Sequence, residues 1–203
     1  MLRNYLKIAW RNLQRHKMDA TINVVGLALG IACCVLLGLY VRSEWTYDQF
    51  HEKADRIVRV NRIPSSPGGD PSVQASTPAP LAAALVSTFP EVETAVRMND
   101  RSISVTDGEN QFRADALFAD STFFDTFTFP MRRGNPQTAL RTPKGVVLSA
   151  PTARKYFGQT DPMGKSLTIE IEETRLQVEV TGVVGAPPSR SSIQFDLLLP
   201  LQI

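Results

Sequence analysis

The chain has 203 residues, 43% hydrophobic and 21% charged, with a formal net charge of +2. That length holds one domain or one and a half, and the near-average fractions exclude a wholly disordered chain, a collagen and a polytopic membrane protein. Two cysteines exclude a disulfide framework and a cysteine-rich zinc module, and two histidines leave little room for a histidine-based metal site.

Residues 1–18 are predicted to form a basic amphipathic helix. Leu2, Tyr5, Leu6, Ala9, Trp10 and Leu13 recur at helical spacing, while Arg3, Lys7, Arg11 and Arg15 recur every four residues on the other side. Such a helix lies in the headgroup plane, apolar side down, with its cations on anionic lipid. It serves as a generic topology signal or as an elbow that also touches a partner protein.

Ala20–Val41 runs for 22 residues with no ionisable side chain apart from two thiols and Tyr40. At ~1.5 Å per residue a helix of that length reaches about 33 Å, against about 30 Å for the hydrocarbon core. The prediction is a transmembrane helix over 19–42. Asp19 can cap its start, Arg42 ends it, and Tyr40, Trp45 and Tyr47 form an aromatic belt at the far boundary. A secretory signal peptide is the rival. It needs a shorter apolar region and a small-x-small cleavage site, and Leu39-Tyr40-Val41-Arg42 is a poor one. Cys33 and Cys34 raise a lipoprotein site, which Gly30-Ile31-Ala32 fits badly. The segment is expected to be retained.

The charge divides at this span. Residues 1–41 carry five basic groups and one acid, a net of +4, and the other 162 carry 17 basic and 19 acidic groups, a net of −2. Cations before the span place the N-terminus in the cytoplasm and the body outside. The weakly acidic body offers no electrostatic footprint for nucleic acid. Within the span Gly26, Gly30, Cys34 and Gly38 fall every four residues, including one GxxxG. Small residues in a row let another helix approach closely, so this stripe is the expected helix-packing face.

The body follows in order. Residues 43–55 read as a helical stalk, Arg56–Ile63 as an alternating strand, Pro64–Pro71 as a loop, Pro80–Phe89 as a short apolar helix and Val92–Met98 as a strand. Ser102–Thr106 and Asn110–Ala119 read as strands around an Asp107-Gly108 turn. Ser121–Phe127 reads as a short aromatic helix and Val146–Leu148 as a strand. Ser149 then caps a helix that runs through Phe157 and that Gly158 closes. Leu167–Ile171, Leu176–Val184 and Phe195–Leu199 read as strands. The fold class is α+β.

Catalytic signatures are weak. Gly164-Lys165-Ser166 looks like the end of a P-loop, but Gly158 to Gly164 leaves five intervening residues instead of four and the segment follows a helix. There is no GxSxG or HExxH. Asp48, His51 and Glu52 could share a helix face and hold a metal, although a solvated polar face is the preferred reading. No enzymatic activity, cofactor or metal is expected.

In order and content the segments resemble the start of an ABC-transporter permease of the MacB/FtsX-like superfamily. Tyr5–Leu13 (YLKIAWRNL) resembles the entry helix and Asn23–Gly30 (NVVGLALG) the first membrane helix. Tyr47–His51 with Ala54–Val60 resembles the stalk and first strand, Val146–Ile169 (VVLSAPTARKYFGQTDPMGKSLTI) the extracytoplasmic core signature, and Val180–Pro187 with Ser192–Pro200 the final strands. The resemblance implies a MacB-like periplasmic core domain over 56–203. Residues 56–98 and 185–203 would form a membrane-proximal subdomain and 99–184 a distal one. It also implies a bacterial plasma membrane location, a cytoplasmic ATPase subunit that binds ATP on this chain's behalf, and other permease helices or a second permease copy as partners. Function would be mechanical: motion driven by the ATPase reaches the outer domain through the stalk. Such a permease returns to the membrane for three more spans, which these 203 residues do not contain. The expectation is therefore a permease fragment, with a single-pass anchored binding or adapter module as the alternative.

Overall fold

The computed structural model describes residues 2–63, 74–107, 110–172 and 174–203, without the side chains of Leu2, Leu6, Leu13, Asp107 and Asn110. The expected Pro64–Pro71 loop and Gly108 of the expected turn lie outside the described residues. The chain divides into two units, Met1–Tyr47 and Asp48–Ile203.

The first unit holds α1 (Leu2–Arg15) and α2 (Lys17–Trp45), which meet at His16, a residue outside the helical region at φ −117 and ψ 57. α2 has no buried residue. Its hydroxyls close on its own backbone: Thr21 Oγ1 donates to the Lys17 carbonyl at 2.7 Å and Ser43 Oγ to the Tyr40 carbonyl at 2.8 Å. A helix that satisfies its own polar groups suits a medium without hydrogen-bonding solvent.

α2 stops at Trp45, so the expected continuous stalk to residue 55 does not form. Asp48 adopts φ 56, in the left-handed region that Asp tolerates better than most residues. Its N–H donates to the Arg190 carbonyl at 2.9 Å, and its Oδ1 accepts from the Ser192 N–H at 2.8 Å. A backbone bonded to a distant loop cannot continue an i→i−4 ladder. Turns follow, then one 3-10 turn at Ala54–Arg56.

The second unit contains α3 (Leu81–Thr88), β1 (Met98–Asp107), β2 (Asn110–Ala119), α4 (Phe123–Thr126), β3 (Met131–Gly134) and α5 (Pro136–Ala139). It continues with β4 (Gly145–Ser149), α6 (Ala150–Phe157), β5 (Ser166–Ile171), β6 (Thr174–Val184) and β7 (Leu197–Pro200). The sheet order is β3-β6-β4-β7-β2-β1-β5, and β5 also pairs β6. Six strands therefore close into a ring, β6-β4-β7-β2-β1-β5, with β3 added outside β6. Closure removes the long free edges that an open sheet would present.

Two apolar clusters fill opposite faces. Ile103, Val105, Phe118, Leu148, Ile169, Val180, Leu197 and Leu199 pack in one, together with Ala153 and Tyr156 of α6. Leu117, Val147, Val184 and Leu198 face the other, with Phe123, Phe127, Phe129 and Phe195. All of β7 is buried, as expected of a central strand covered on both faces. β7 is parallel to β2 and antiparallel to β4. Strands from both sides of the expected boundary at residue 184 thus share one sheet, and that boundary does not separate two sheets.

Three expectations in the body need correction. Arg56–Ile63 is not a strand. Its only strand-like pairing among the described residues is a single bridge, Arg62 to Gln74, and Val58 is 82% exposed. Alternation sets faces but cannot make a strand without a neighbour. Val92–Met98 is not a strand either, except that Met98 opens β1. Arg97 spends its N–H on Asp120, whose carboxylate its guanidinium also grips at 2.9 and 2.7 Å. Finally, β3 and α5 were not expected. Met131–Gly134 is mostly exposed and non-alternating, and α5 is a four-residue turn of helix capped by Asn135, which accepts from the Gln137 N–H at 2.9 Å.

α6 has the Ser149 cap and the Gly158 stop that its sequence predicts. Buried Ser149 Oγ donates to Thr152 Oγ1 at 2.9 Å, and Thr152 Oγ1 donates to Asp196 Oδ1 at 3.0 Å. Gly158 ends α6 at φ 60. Ser149→Ala is expected to cost about 1–2 kcal/mol, because it removes the cap that accepts from the buried Thr152 N–H. Chemical denaturation of the full chain measures it.

Candidate functional site

Functional candidates lie along the two N-terminal helices and in the segment that enters the outer domain. On α1, Arg3, Lys7, Arg11 and Arg15 are all exposed, and each step of four turns the helix face by only about 40°. They form one cationic stripe. Tyr5, Ile8 and Trp10 are exposed apolar groups at 71%, 64% and 66%. Lys17 and Trp10, with Gln14, Ala20, Thr21, Val24 and Val25, line a shallow groove between α1 and α2.

On α2, Gly26, Gly30, Cys34 and Gly38 fall along one slowly drifting line. A Cβ at any of the three glycines would meet nothing within 4 Å. Gly26, Leu27, Gly30, Ile31, Cys34 and Val35 line a shallow apolar groove on the helix surface. Both thiols are free and exposed. Tyr40 and Trp45 lie exposed near the helix end, and Tyr47 follows in the turn. α2 is the one helix among the described residues long and apolar enough to cross a membrane.

The Asp48-His51-Glu52 trio is not a helix face. His51 is 5% exposed. Its ring lies 5.4 Å from that of Phe127 and 5.5 Å from that of Phe129, edge to face, and 4.0 Å from that of Phe50. Its Nδ1 accepts from the Thr128 N–H at 3.0 Å. A ring nitrogen that accepts a hydrogen bond carries no proton, so Nε2 carries it. Burial lowers the His51 pKa from its ordinary 6.5, with Asp48 pulling in the opposite direction. Around it the Glu52 N–H donates to Thr128 Oγ1 at 2.9 Å, and Lys53 Nζ donates to the Asp125 carbonyl at 2.9 Å. Neither metal ligation nor a solvated polar face describes this residue. Among the described residues no cluster of three or more metal-ligating side chains occurs. The signal that could have located His51 is its neighbourhood: a Phe-rich run, Phe123 to Phe129, needs covering, and Phe50-His51 supplies it.

Gly164-Lys165-Ser166 opens strand β5 instead of a helix. Gly164 has φ 72 and donates its N–H to the Val180 carbonyl at 2.9 Å, and Asp161 Oδ1 accepts from the Met163 N–H at 3.2 Å. This is a turn, not a phosphate cradle.

The model of the family described as "MacB-like periplasmic core domain" matches residues 20–203. Among solved structures, a domain assigned to a permease protein from Porphyromonas gingivalis is 30% identical, with a TM-score of 0.53, covering 60% of this chain and 51% of that one. The periplasmic region of MacB from Actinobacillus actinomycetemcomitans is 18% identical, with a TM-score of 0.47, covering 60% of this chain and 54% of that one. The extracellular domain of the ABC-type transporter YknZ from Gram-positive bacteria is 20% identical, with a TM-score of 0.41, covering 52% and 53%. The match spans about half the length of each of these solved chains. No curated protein matches.

Proposed function

Because the chain belongs to the MacB-like periplasmic core domain family and carries a membrane-length apolar helix at the start of the matched region, we propose that it is a permease component of an ABC export or mechanotransmission system. It is a membrane-anchored protein with an extracytoplasmic domain. The observation that carries the reading is the family match over residues 20–203, which includes most of α2 as well as the outer domain.

In this reading the protein sits in the bacterial plasma membrane with its N-terminus in the cytoplasm. Arg3, Lys7, Arg11 and Arg15 rest on anionic headgroups, Trp10 dips into the interface, and Tyr40, Trp45 and Tyr47 mark the outer boundary. The line Gly26, Gly30, Cys34 and Gly38 packs against another permease helix or a second permease copy. The chain itself performs no catalysis and binds no cofactor. A cytoplasmic ATPase subunit binds and hydrolyses ATP, and α2 passes the resulting motion to the outer domain.

Photo-crosslinking from position 31, beside the glycine line, tests this in membranes of the encoding bacterium. It is expected to capture a second membrane helix and to co-purify a Walker-type ATPase. Gly30→Ile is expected to cut the cross-linked yield about tenfold, the factor that corresponds to ~1.4 kcal/mol of packing. Recovery of the chain alone, with no ATPase, overturns the permease reading in favour of a single-pass adapter.

A further inference from the structure

The first residues of the outer domain are fastened to it by polar contacts that flank one buried titratable ring, and by Phe50 and Ile57, which pack against the Phe-rich cluster. Asp48 binds the 188–192 loop twice, through its N–H to the Arg190 carbonyl and through its Oδ1 to the Ser192 N–H. His51 and Glu52 bind Thr128, and Lys53 binds the Asp125 carbonyl. Of these partners only His51 is buried; Asp48 and Lys53 are half-buried, and Glu52, Asp125 and Arg190 are exposed. From there the chain leads into Ile57–Ile63, where a single bridge is the only strand-like pairing among the described residues. Apart from the packing of Phe50 and Ile57 and an exposed Arg56–Glu93 ion pair, the fastening therefore rests on few groups.

We infer that residues 48–56 form an acid-sensitive latch, held to the outer domain while His51 is neutral and released when it gains a proton. The chemistry follows from the geometry. Nδ1 is an acceptor only while unprotonated, and imidazolium has two donors and no acceptor. Protonation turns the Thr128 N–H and Nδ1 into two donors facing each other at 3.0 Å. It also places a charge among Phe50, Phe127 and Phe129, with Nε2 buried and without a hydrogen-bond partner among the described residues. The charged groups on the surrounding elements are Asp48, Glu52, Lys53, Asp55 and Arg56 on its own segment, with Arg56 paired to Glu93, Asp125 on the α4 turn and Arg190 on the 188–192 loop. Of these Asp48 opposes release, and burial of the ring outweighs it.

The sign is set by linkage. A histidine whose folded pKa is lowered binds fewer protons folded than released, so the latch is most stable above 6.5. Its stability falls as pH drops from there to the lowered folded value, and then levels off. This inference concerns the outer domain alone and does not rest on the permease reading.

Hydrogen exchange of the full chain in lipid nanodiscs tests it, after correction for the intrinsic pH dependence of exchange. Peptides covering residues 46–56, 122–130 and 188–194 are expected to lose protection by up to about tenfold per pH unit below pH ~6.5, while peptides in β4 and β7 stay protected. His51→Gln, whose side chain can accept from the Thr128 N–H without titrating, is expected to flatten that profile. Should this variant fail to fold, the wild-type ring carries the test. In a His16→Gln background, the His51 NMR signal is expected to titrate below 6.5 in step with the loss of protection. Protection that holds unchanged to pH 5, or a loss that persists in His51→Gln, overturns the latch.

Discussion

Phe123→Ala is expected to remove about 3–5 kcal/mol from the stability of the outer domain, a large share of the 5–15 kcal/mol typical of a domain. Phe123 is fully buried at the start of α4. Its ring lies 5.3 Å from Phe124, 5.1 Å from Phe127, 5.5 Å from Phe129 and 6.3 Å from Phe195. Those rings arrive from the α4 turn and from the approach to β7, so a void at Phe123 cannot be filled by one neighbour moving. Two of them, Phe127 and Phe129, also flank His51. Both tryptophans, Trp10 and Trp45, lie outside this domain, so tryptophan fluorescence is a poor reporter of its unfolding. Pulse proteolysis of the full chain in urea is the suitable measurement. With an m-value of ~2 kcal/mol/M, the midpoint should fall by about 1.5–2.5 M. Phe124→Ala, which truncates a half-buried ring on the same turn, should cost less. Equal midpoints for Phe123→Ala and wild type would refute the packing described.

Gly134→Ala is the second large effect, at about 3 kcal/mol or more. Gly134 ends β3 at φ 90, and a Cβ there would lie 2.5 Å from the Thr181 carbonyl oxygen and 2.9 Å from Gly182 Cα. Both obstacles are backbone atoms of β6, and neither can swing aside. The comparison is Gly158→Ala. Gly158 has φ 60 but nothing within 4 Å of an added Cβ. There the cost reduces to a backbone conformation, φ 60 and ψ −119, that residues with a Cβ rarely adopt, about 1–3 kcal/mol. Denaturation of both variants separates steric exclusion from backbone preference. If the two cost the same, the close approach of β3 to β6 is wrong.

Local signals in the sequence were the readable ones. α2 declares itself by length and apolarity, α6 by Ser149, Phe157 and Gly158, and the β1–β2 pair by alternation around a turn. Each depends on residues close in sequence. What could not be read depends on partners far away. Asp48–His51 looks helical until the 188–192 loop takes the Asp48 N–H and side chain. Arg56–Ile63 alternates but finds almost no strand to pair with. β3 carries no apolar pattern because its partner, β6, supplies the packing. The ring closure of the sheet, and the place of β7 inside it, follow from pairings such as Ala116 with Leu197 that span most of the domain. Among the site residues, the cationic stripe and the glycine line are legible from their spacing of four. The burial of His51 is not, since the Phe cage that covers it comes from residues 127–129.

The strand at the centre of the sheet, β7, also follows every other described strand of that sheet in the chain. Until Leu197–Pro200 is in place, β2 and β4 carry open edges and neither apolar cluster is sealed. Such long-range closure is slow and leaves adhesive surfaces bare in the meantime. The outer domain therefore cannot mature piece by piece as it emerges. The ring cannot close before β7 joins β2 to β4, so its closure waits on those four residues however early the preceding strands are made.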